Sequence, residues 1–550
     1  MTSPSKLRGA TTGGVWPSAV HENWHERAVN DASVPQLWCY TDRISYAPGD
    51  VVAFHVSTTG GRVTLSLIRD GAVAATCHTM EIDGRFHETP DQASVTGCNW
   101  PVAATFTIPA DWRSGGYLVQ VEAAMADGTR LAHDHWFALR AGAGAGAGGG
   151  ADRVGDILQI AATSTWAAYN DWGGSNHYEG ICGPAHNESA PSVSLLRPWS
   201  RGFCRLPVGA PRTVLAQVPP LGAAPRYPHM EWAFANGYSK KYASAGWASY
   251  DRHFAIWAER AGYRADLATQ HDLHLMPDLL DRYACAVIVG HDEYWSWEMR
   301  DAIDRFVERG GHLVRLAGNF LLQVRLADEG RTQICYQGKE SDPLLGTADE
   351  QRFTGYWDDP RVGRPGVHTM GLTGFRGVYA NVGMCTPRGS RGFTVYRPEH
   401  WAFAGSDLYY GDILGAESRI FGYEVDGLDY TFRHGLPFPS GEDPVPDGLE
   451  ILAMGLPTNI EENHGHDPDL FFLGDEAVPI AARIYYGDAS PENVAKVRHG
   501  SGMIATFRKG KGSVFNAASS DWVHGLMCRD TAVEIVTRNA LGRALRAGKA

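Results

Sequence analysis

The chain reads as an α/β protein in two unlike parts, an antiparallel β-sandwich in front and a mostly parallel, helix-covered sheet behind. Three observations predict this. Residues 141–150 read AGAGAGAGGG, a composition that cannot bury surface or hold one backbone conformation and so behaves as a linker. Before it, short segments of mixed or alternating polarity are punctuated by Gly and Asp turns. After it, apolar runs alternate with helical patterns, as in a parallel sheet covered by helices. The predicted division is an extension over 1–35, an Ig-like sandwich over 36–140, a linker over 141–151 and an α/β domain over 152–550.

In the first part VVAFHVS, RVTLSLI, GYLVQVEAA and LAHDHWFALR read as strands of an antiparallel sandwich. In the second, GDILQIAAT is the first strand. DRHFAIWAERAG, from Asp251 to Gly262, puts Phe254, Trp257 and Ala258 on one helical face and stops at a glycine. RADLAT and the near-continuous apolar YACAVIVG follow as strands. In SWEMRDAIDRFVERGG, Ser296 is placed to cap a helix whose apolar face is Met299, Ile303, Phe306 and Val307, with Gly310 and Gly311 ending it. HLVRLAG is a further strand, and GMIATFRKGKGSVFNAASSDW reads as a hairpin returning to the sheet. Residues 340–480, rich in Gly, Pro and aromatics, give no clear pattern.

Of the 550 residues, 44% are hydrophobic and 20% charged, which excludes disordered, collagenous and coiled-coil chains, and no run reaches the roughly 18 apolar residues of a membrane span. The net charge of −13 argues against nucleic acid as a partner, because neutralising phosphates needs clustered Lys and Arg. Small molecules or proteins are the expected partners. The 17 Trp fit an aromatic-lined pocket or a subunit interface, and a homo-oligomer is expected. The N-terminus shows no apolar stretch of the secretory kind, so the expected location is cytoplasmic. Nine Cys at irregular intervals, with no CxxC pair, read as reduced thiols.

In an open parallel sheet, ligands bind beyond the carboxyl ends of the strands. Here those ends run into TSTWAAYNDWGGSNHYEG, TQHDLH, GHDEYWS and GNF, so that Tyr169, Tyr178, His274, His291, Glu293 and Asn319 are candidates to converge. Each is ordinary singly: a tyrosine after a strand commonly packs, Glu293 beside Asp292 reads equally as a solvated loop carboxylate, and Asn after Gly is turn chemistry.

Three motifs resemble the large subunit of N,N-dimethylformamidase and its relatives: TWAAYNDWGGSNHY, the block DLHLMPDLLDRYACAVIVGHDEYWSWEMRDAIDRFVERGGHLVRLAGN, and GAESRIFGYEVD. The resemblance extends over most of residues 153–540. It implies a glutamine-amidotransferase-like α/β domain carrying one ferric ion held by two tyrosinates and a glutamate. Those ligands fall on Tyr169, Tyr178 and Glu293, although only nine positions separate the two tyrosines here, fewer than in the family. His291, Asn319 and Glu424 match the family's neighbouring catalytic positions. The implied reaction is hydrolysis of a small amide to a carboxylate and an amine, and the implied partner is a small accessory subunit.

Phenolate and carboxylate are hard oxygen donors suited to a trivalent cation. Other constellations compete. His271 and His274 with His291 would suit zinc. HENWH, with His21, Glu22 and His25, formally matches H-E-x-x-H, but such a short pattern arises by chance in a chain with 22 His. No G-x-S-x-G, G-x-C-x-G or Walker pattern occurs. A non-catalytic module binding carbohydrate or protein is the remaining alternative.

Overall fold

The computed structural model describes residues 24–142, 156–180, 188–213, 220, 227–377, 391–422, 424–456 and 477–547. It is mixed α/β, with antiparallel sheets near the N-terminus. The alternating segments of the first part form eight strands: β1 (Leu37–Thr41), β2 (Ser45–Tyr46), β3 (Val51–Thr58), β4 (Arg62–Arg69), β5 (Ala75–Asp83), β6 (Val102–Thr107), β7 (Gly115–Ala124) and β8 (Arg130–Leu139). They make a three-stranded sheet, β1-β3-β6, and a five-stranded one, β2-β8-β7-β4-β5, antiparallel except for the short β2–β8 pairing. Phe54 and Val56 of the first sheet share a core with Leu65, Val119 and Phe137 of the second. Residues 143–151 of the expected linker lie outside the described residues.

The second part is organised by nine strands: β9 (Ile157–Ala161), β10 (Ala265–Thr269), β11 (Cys285–His291), β12 (His312–Gly318), β13 (Phe393–Val395), β14 (Ile413–Leu414), β15 (Glu450–Gly455), β16 (Gly502–Lys509) and β17 (Gly512–Asn516). Their order in the sheet is β10-β9-β11-β12-β17-β16-β15-β13-β14. Pairings from β10 to β17 are parallel and those from β17 to β14 antiparallel, so the sheet is mixed rather than mostly parallel. The antiparallel half comes from the segment without a clear sequence pattern and from the terminal hairpin, which adds β16 and β17 through a tight turn instead of a helical crossover.

Helices α1 (Thr163–Tyr169), α2 (Arg252–Arg260), α3 (Gln270–Leu275), α4 (Trp297–Glu308), α5 (Trp522–Cys528) and α6 (Thr531–Ala547) accompany this sheet. Side chains alternate along a strand, so β11 sends Cys285, Val287 and Val289 into a core shared with Phe254, Trp257 and Val533, and Ala286 and Ile288 into a second core with Met299, Ile303 and Phe306. Burial on both faces explains why YACAVIVG is apolar without alternation. Ser296 caps α4 by accepting the Met299 N–H at 3.3 Å, a contact worth about 1 kcal/mol, and Thr269 caps α3 through Asp272 N–H at 3.0 Å. Among the described residues no helix is long and apolar enough to cross a membrane.

Candidate metal centre

The parallel half of the sheet aims its strand ends at one place. Tyr169 is the last residue of α1, directly after β9; His291 ends β11 and Glu293 follows two residues later; Asn319 follows β12. Glu424 arrives from the segment that follows β14. Gly318 admits it, because a Cβ there would collide with the backbone carbonyl of Glu424. Asn319 adopts a left-handed φ of 68°, a conformation asparagine tolerates better than most residues, and this turns its side chain toward Glu424.

Tyr169, Tyr178, His291, Glu293, Asn319 and Glu424 converge, whereas His274 does not. The Tyr169 hydroxyl donates to Glu293 Oε2 at 2.9 Å and the Tyr178 hydroxyl to Glu293 Oε1 at 2.6 Å, with the two rings 4.6 Å apart. The short connection between the tyrosines is therefore long enough for both to reach one carboxylate. Asn176 holds it in shape, accepting the N–H groups of Tyr178 and Glu179 and donating to the Tyr169 carbonyl. His291 Nε2 lies 2.5 Å from Glu424 Oε2 and 3.3 Å from Glu293 Oε2, and Asn319 Nδ2 donates to Glu424 Oε2 at 2.6 Å. Glu293, Glu424, His291 and Asn319 are each no more than 3% exposed, so Glu293 is not the solvated loop carboxylate its sequence context allowed.

The electrostatics of this cluster are lopsided. Burial, then the charge of Glu293, pushes the Tyr178 phenol well above its ordinary range. Burial opposes a charged imidazole at His291, but Glu424 and Glu293 outweigh it and hold its pKa at about 10. Burial and the nearby Glu293 raise Glu424 despite His291. Two carboxylates and two phenols thus face a single imidazole in a largely buried site, an arrangement that a multivalent cation would balance. His291, Glu293 and Glu424 offer ligand atoms within 4.8 Å of one another, the one such His, Cys, Asp and Glu group among the described residues. Asn319 Oδ1, buried and without a hydrogen-bond partner, is a further polar atom at the site.

The competing histidines are engaged elsewhere. His271 Nδ1 pairs with Thr163 Oγ1 at 2.8 Å, and His274 Nδ1 with Ser296 Oγ at 2.7 Å, so they steady α1 and α4 and do not join His291. His21 and Glu22 lie outside the described residues, and His25 joins no metal-ligand group among those described.

A family profile described as N,N-dimethylformamidase beta subunit-like, C-terminal, matches residues 69–534. The chain belongs to that family. Curated members of the dimethylformamidase group are similar over a shorter stretch: the N,N-dimethylformamidase beta subunits of Paracoccus aminophilus and an Alcaligenes species are 37% and 36% identical over 70 residues. That stretch is 12% of this chain and 9% of each relative. Among solved structures, Spo0M, a sporulation control protein from Bacillus subtilis, is similar over 19% of this chain and 48% of its own, at 17% identity and a TM-score of 0.14.

Several residues of the site carry no signal in the sequence. Thr165 accepts the Glu293 N–H at 2.9 Å, Ser520 accepts that of Glu424 at 3.0 Å, and the Ser244 carbonyl meets His291 Nδ1 at 2.7 Å. Small hydroxyl residues and a backbone carbonyl acquire these roles only through tertiary placement.

Proposed function

We propose that the chain is an amide hydrolase of the N,N-dimethylformamidase type, with a mononuclear ferric ion held by Tyr169, Tyr178 and Glu293. The observation that carries this reading is the convergence of two tyrosine hydroxyls on the two oxygens of one buried glutamate, beside a second glutamate and a single imidazole. The donor set fits the group: hard oxygens, buried, with an excess of acid. When bound, such an ion supplies Lewis acidity toward an amide carbonyl and hydroxide at neutral pH.

The chain's own residues do the rest. Glu424 accepts a proton from the attacking water and passes it to the departing nitrogen, as a carboxylate within reach of the reacting groups can. His291 Nε2 and Asn319 Nδ2 both point at Glu424 Oε2; they hold that carboxylate in place and stand ready to steady the amide oxygen as charge develops on it. Water adds across the C–N bond, giving a carboxylate and an amine. A small amide such as N,N-dimethylformamide is the proposed substrate class.

We also read the two N-terminal sheets as a β-sandwich, supported by their common core, and the second part as glutamine-amidotransferase-like, supported by its helix-covered parallel half. The relatives are named beta subunits, which supports assembly with an accessory subunit; a homo-oligomer in the cytoplasm is proposed with it.

The test is elemental analysis of the purified protein, a visible spectrum of the same sample and an assay on small formamides. One iron per chain, a phenolate-to-iron absorption band and release of amine are expected, with iron and band lost in Tyr169→Phe. A folded protein holding zinc or no metal, or a Tyr169→Phe variant that keeps its iron, overturns the assignment.

A further inference from the structure

Lys240 and Lys241 are 2% and 6% exposed, and lysines are almost never buried so deeply unless paired. Their partner is Glu179, the residue after Tyr178: Lys240 Nζ lies 3.3 Å from its Oε2 and Lys241 Nζ 3.5 Å from its Oε1. The two ammonium groups then diverge. Lys240 sits over the ring of Trp24, 5.8 Å from its centroid. Lys241 sits over both candidate ligands, 5.5 Å from the centroid of Tyr178 and 5.9 Å from that of Tyr169. Buried Asp171 adds its charge to that of Glu179 at Lys240, whereas Lys241 faces the tyrosines beside the acid-rich cluster.

We propose that Lys241 is a positioning residue for the tyrosine pair: tethered by Glu179, it holds a positive charge over the faces of both rings, fixing their orientation and compensating the negative charge they carry as ligands. The inference rests on the tyrosinate reading above. A cation within about 6 Å of an aromatic centroid is attracted to the ring face, more strongly where water is excluded, and the attraction grows when the ring bears a phenolate. Charge transfer from phenolate to metal moves an electron away from this ammonium, so removing Lys241 lowers the energy of that transition.

The experiment compares the full-length wild type with Lys241→Met, Lys241→Arg and Lys240→Met, reading the position of the visible band and the iron retained after a fixed chelator challenge. In Lys241→Met the band is expected to move to longer wavelength and iron retention to fall roughly 2- to 30-fold, the range set by a partly to fully desolvated cation over an aromatic face. Lys241→Arg restores both, and Lys240→Met, which leaves an ammonium on Glu179 and over the tyrosines, keeps the wild-type band. An iron-loaded wild type with an unchanged band and retention in Lys241→Met overturns the inference alone. So does an identical shift in Lys240→Met, because Lys241 would then act only by neutralising Glu179. A wild type without iron or band overturns the tyrosinate reading itself and this inference with it.

Discussion

Two clusters of buried ionisable groups meet at the end of β11, and they differ in what surrounds their carboxylates. Asp292 points one way, to Arg315 Nε at 3.0 Å, and Arg315 reaches on to Asp426 at 2.5 Å. All four carboxylate oxygens there accept a hydrogen bond: Gln270 and Trp295 donate to Asp292 Oδ1, Arg315 to Asp292 Oδ2 and Asp426 Oδ2, and the Asn319 and Phe320 N–H groups to Asp426 Oδ1. Burial lifts Asp292 to about 6, with Arg315 pulling the other way. The neighbours His291 and Glu293 point the other way, with Glu424, two residues before Asp426, and there two carboxylates share one imidazole beside the hydroxyls of Tyr169 and Tyr178. The fully hydrogen-bonded cluster of Asp292, Arg315 and Asp426 ties together the loops after β11 and β12 and the 424–426 segment. The His291 cluster is held in place by that frame and gathers two phenols and an imidazole, groups able to bind a metal or move a proton.

The comparison breaks most sharply at Glu424. Glu424→Gln keeps the shape and removes one of two mutually repelling carboxylates. Hydrolysis of the preferred amide is expected to fall by roughly 10²–10⁴-fold, while denaturant unfolding shifts by less than about 1 kcal/mol. A variant retaining activity within about tenfold of wild type would remove Glu424 from the proton transfer. Arg315→Met should do the reverse. It strands Asp292 and Asp426 as uncompensated buried charges, and about 3–5 kcal/mol of unfolding free energy is expected to disappear. Replacing Asp292 and Asp426 by Asn in the same chain should recover most of that loss. Failure of the triple variant to recover would mean that Arg315 acts through packing and not through charge.

Why one cluster was readable in the sequence and the other was not follows from the same geometry. Strand ends of a parallel sheet carry ligands, so β9, β11 and β12 could be followed to Tyr169, His291, Glu293 and Asn319 by local pattern and motif. Asp292 looked like part of the same loop, because nothing local marks its partner 23 residues away on the next strand or Asp426 a further 111 beyond. The antiparallel half of the sheet escaped for a related reason: β13 and β14 have only three and two residues, too few for any period to register. Lys241 lies in SKKYAS, a stretch with no motif, and only the fold sets it above the tyrosines.

The smallest expected effect concerns a histidine with the opposite environment from His291. His133, on β8, is 2% exposed, with Nε2 3.3 Å from the Trp199 carbonyl and Nδ1 3.7 Å from Cys39 Sγ. Burial, reinforced by the charge of Arg201, pulls its pKa to about 3, where His291 among carboxylates is held at about 10. His133 is therefore neutral in the folded chain and protonated in the unfolded chain below about 6.5. Its contribution to stability is intact above pH 6.5 and is lost as the pH falls from there toward 3. Between pH 7 and pH 5 that loss is about 1–2 kcal/mol, from 1.36 kcal/mol per pKa unit over the window below 6.5. Urea unfolding of His133→Gln at both pH values should show a smaller acid loss by that amount. An unchanged loss would place the acid sensitivity of the antiparallel sheets elsewhere, with His135 the next residue to test, since burial lowers it too.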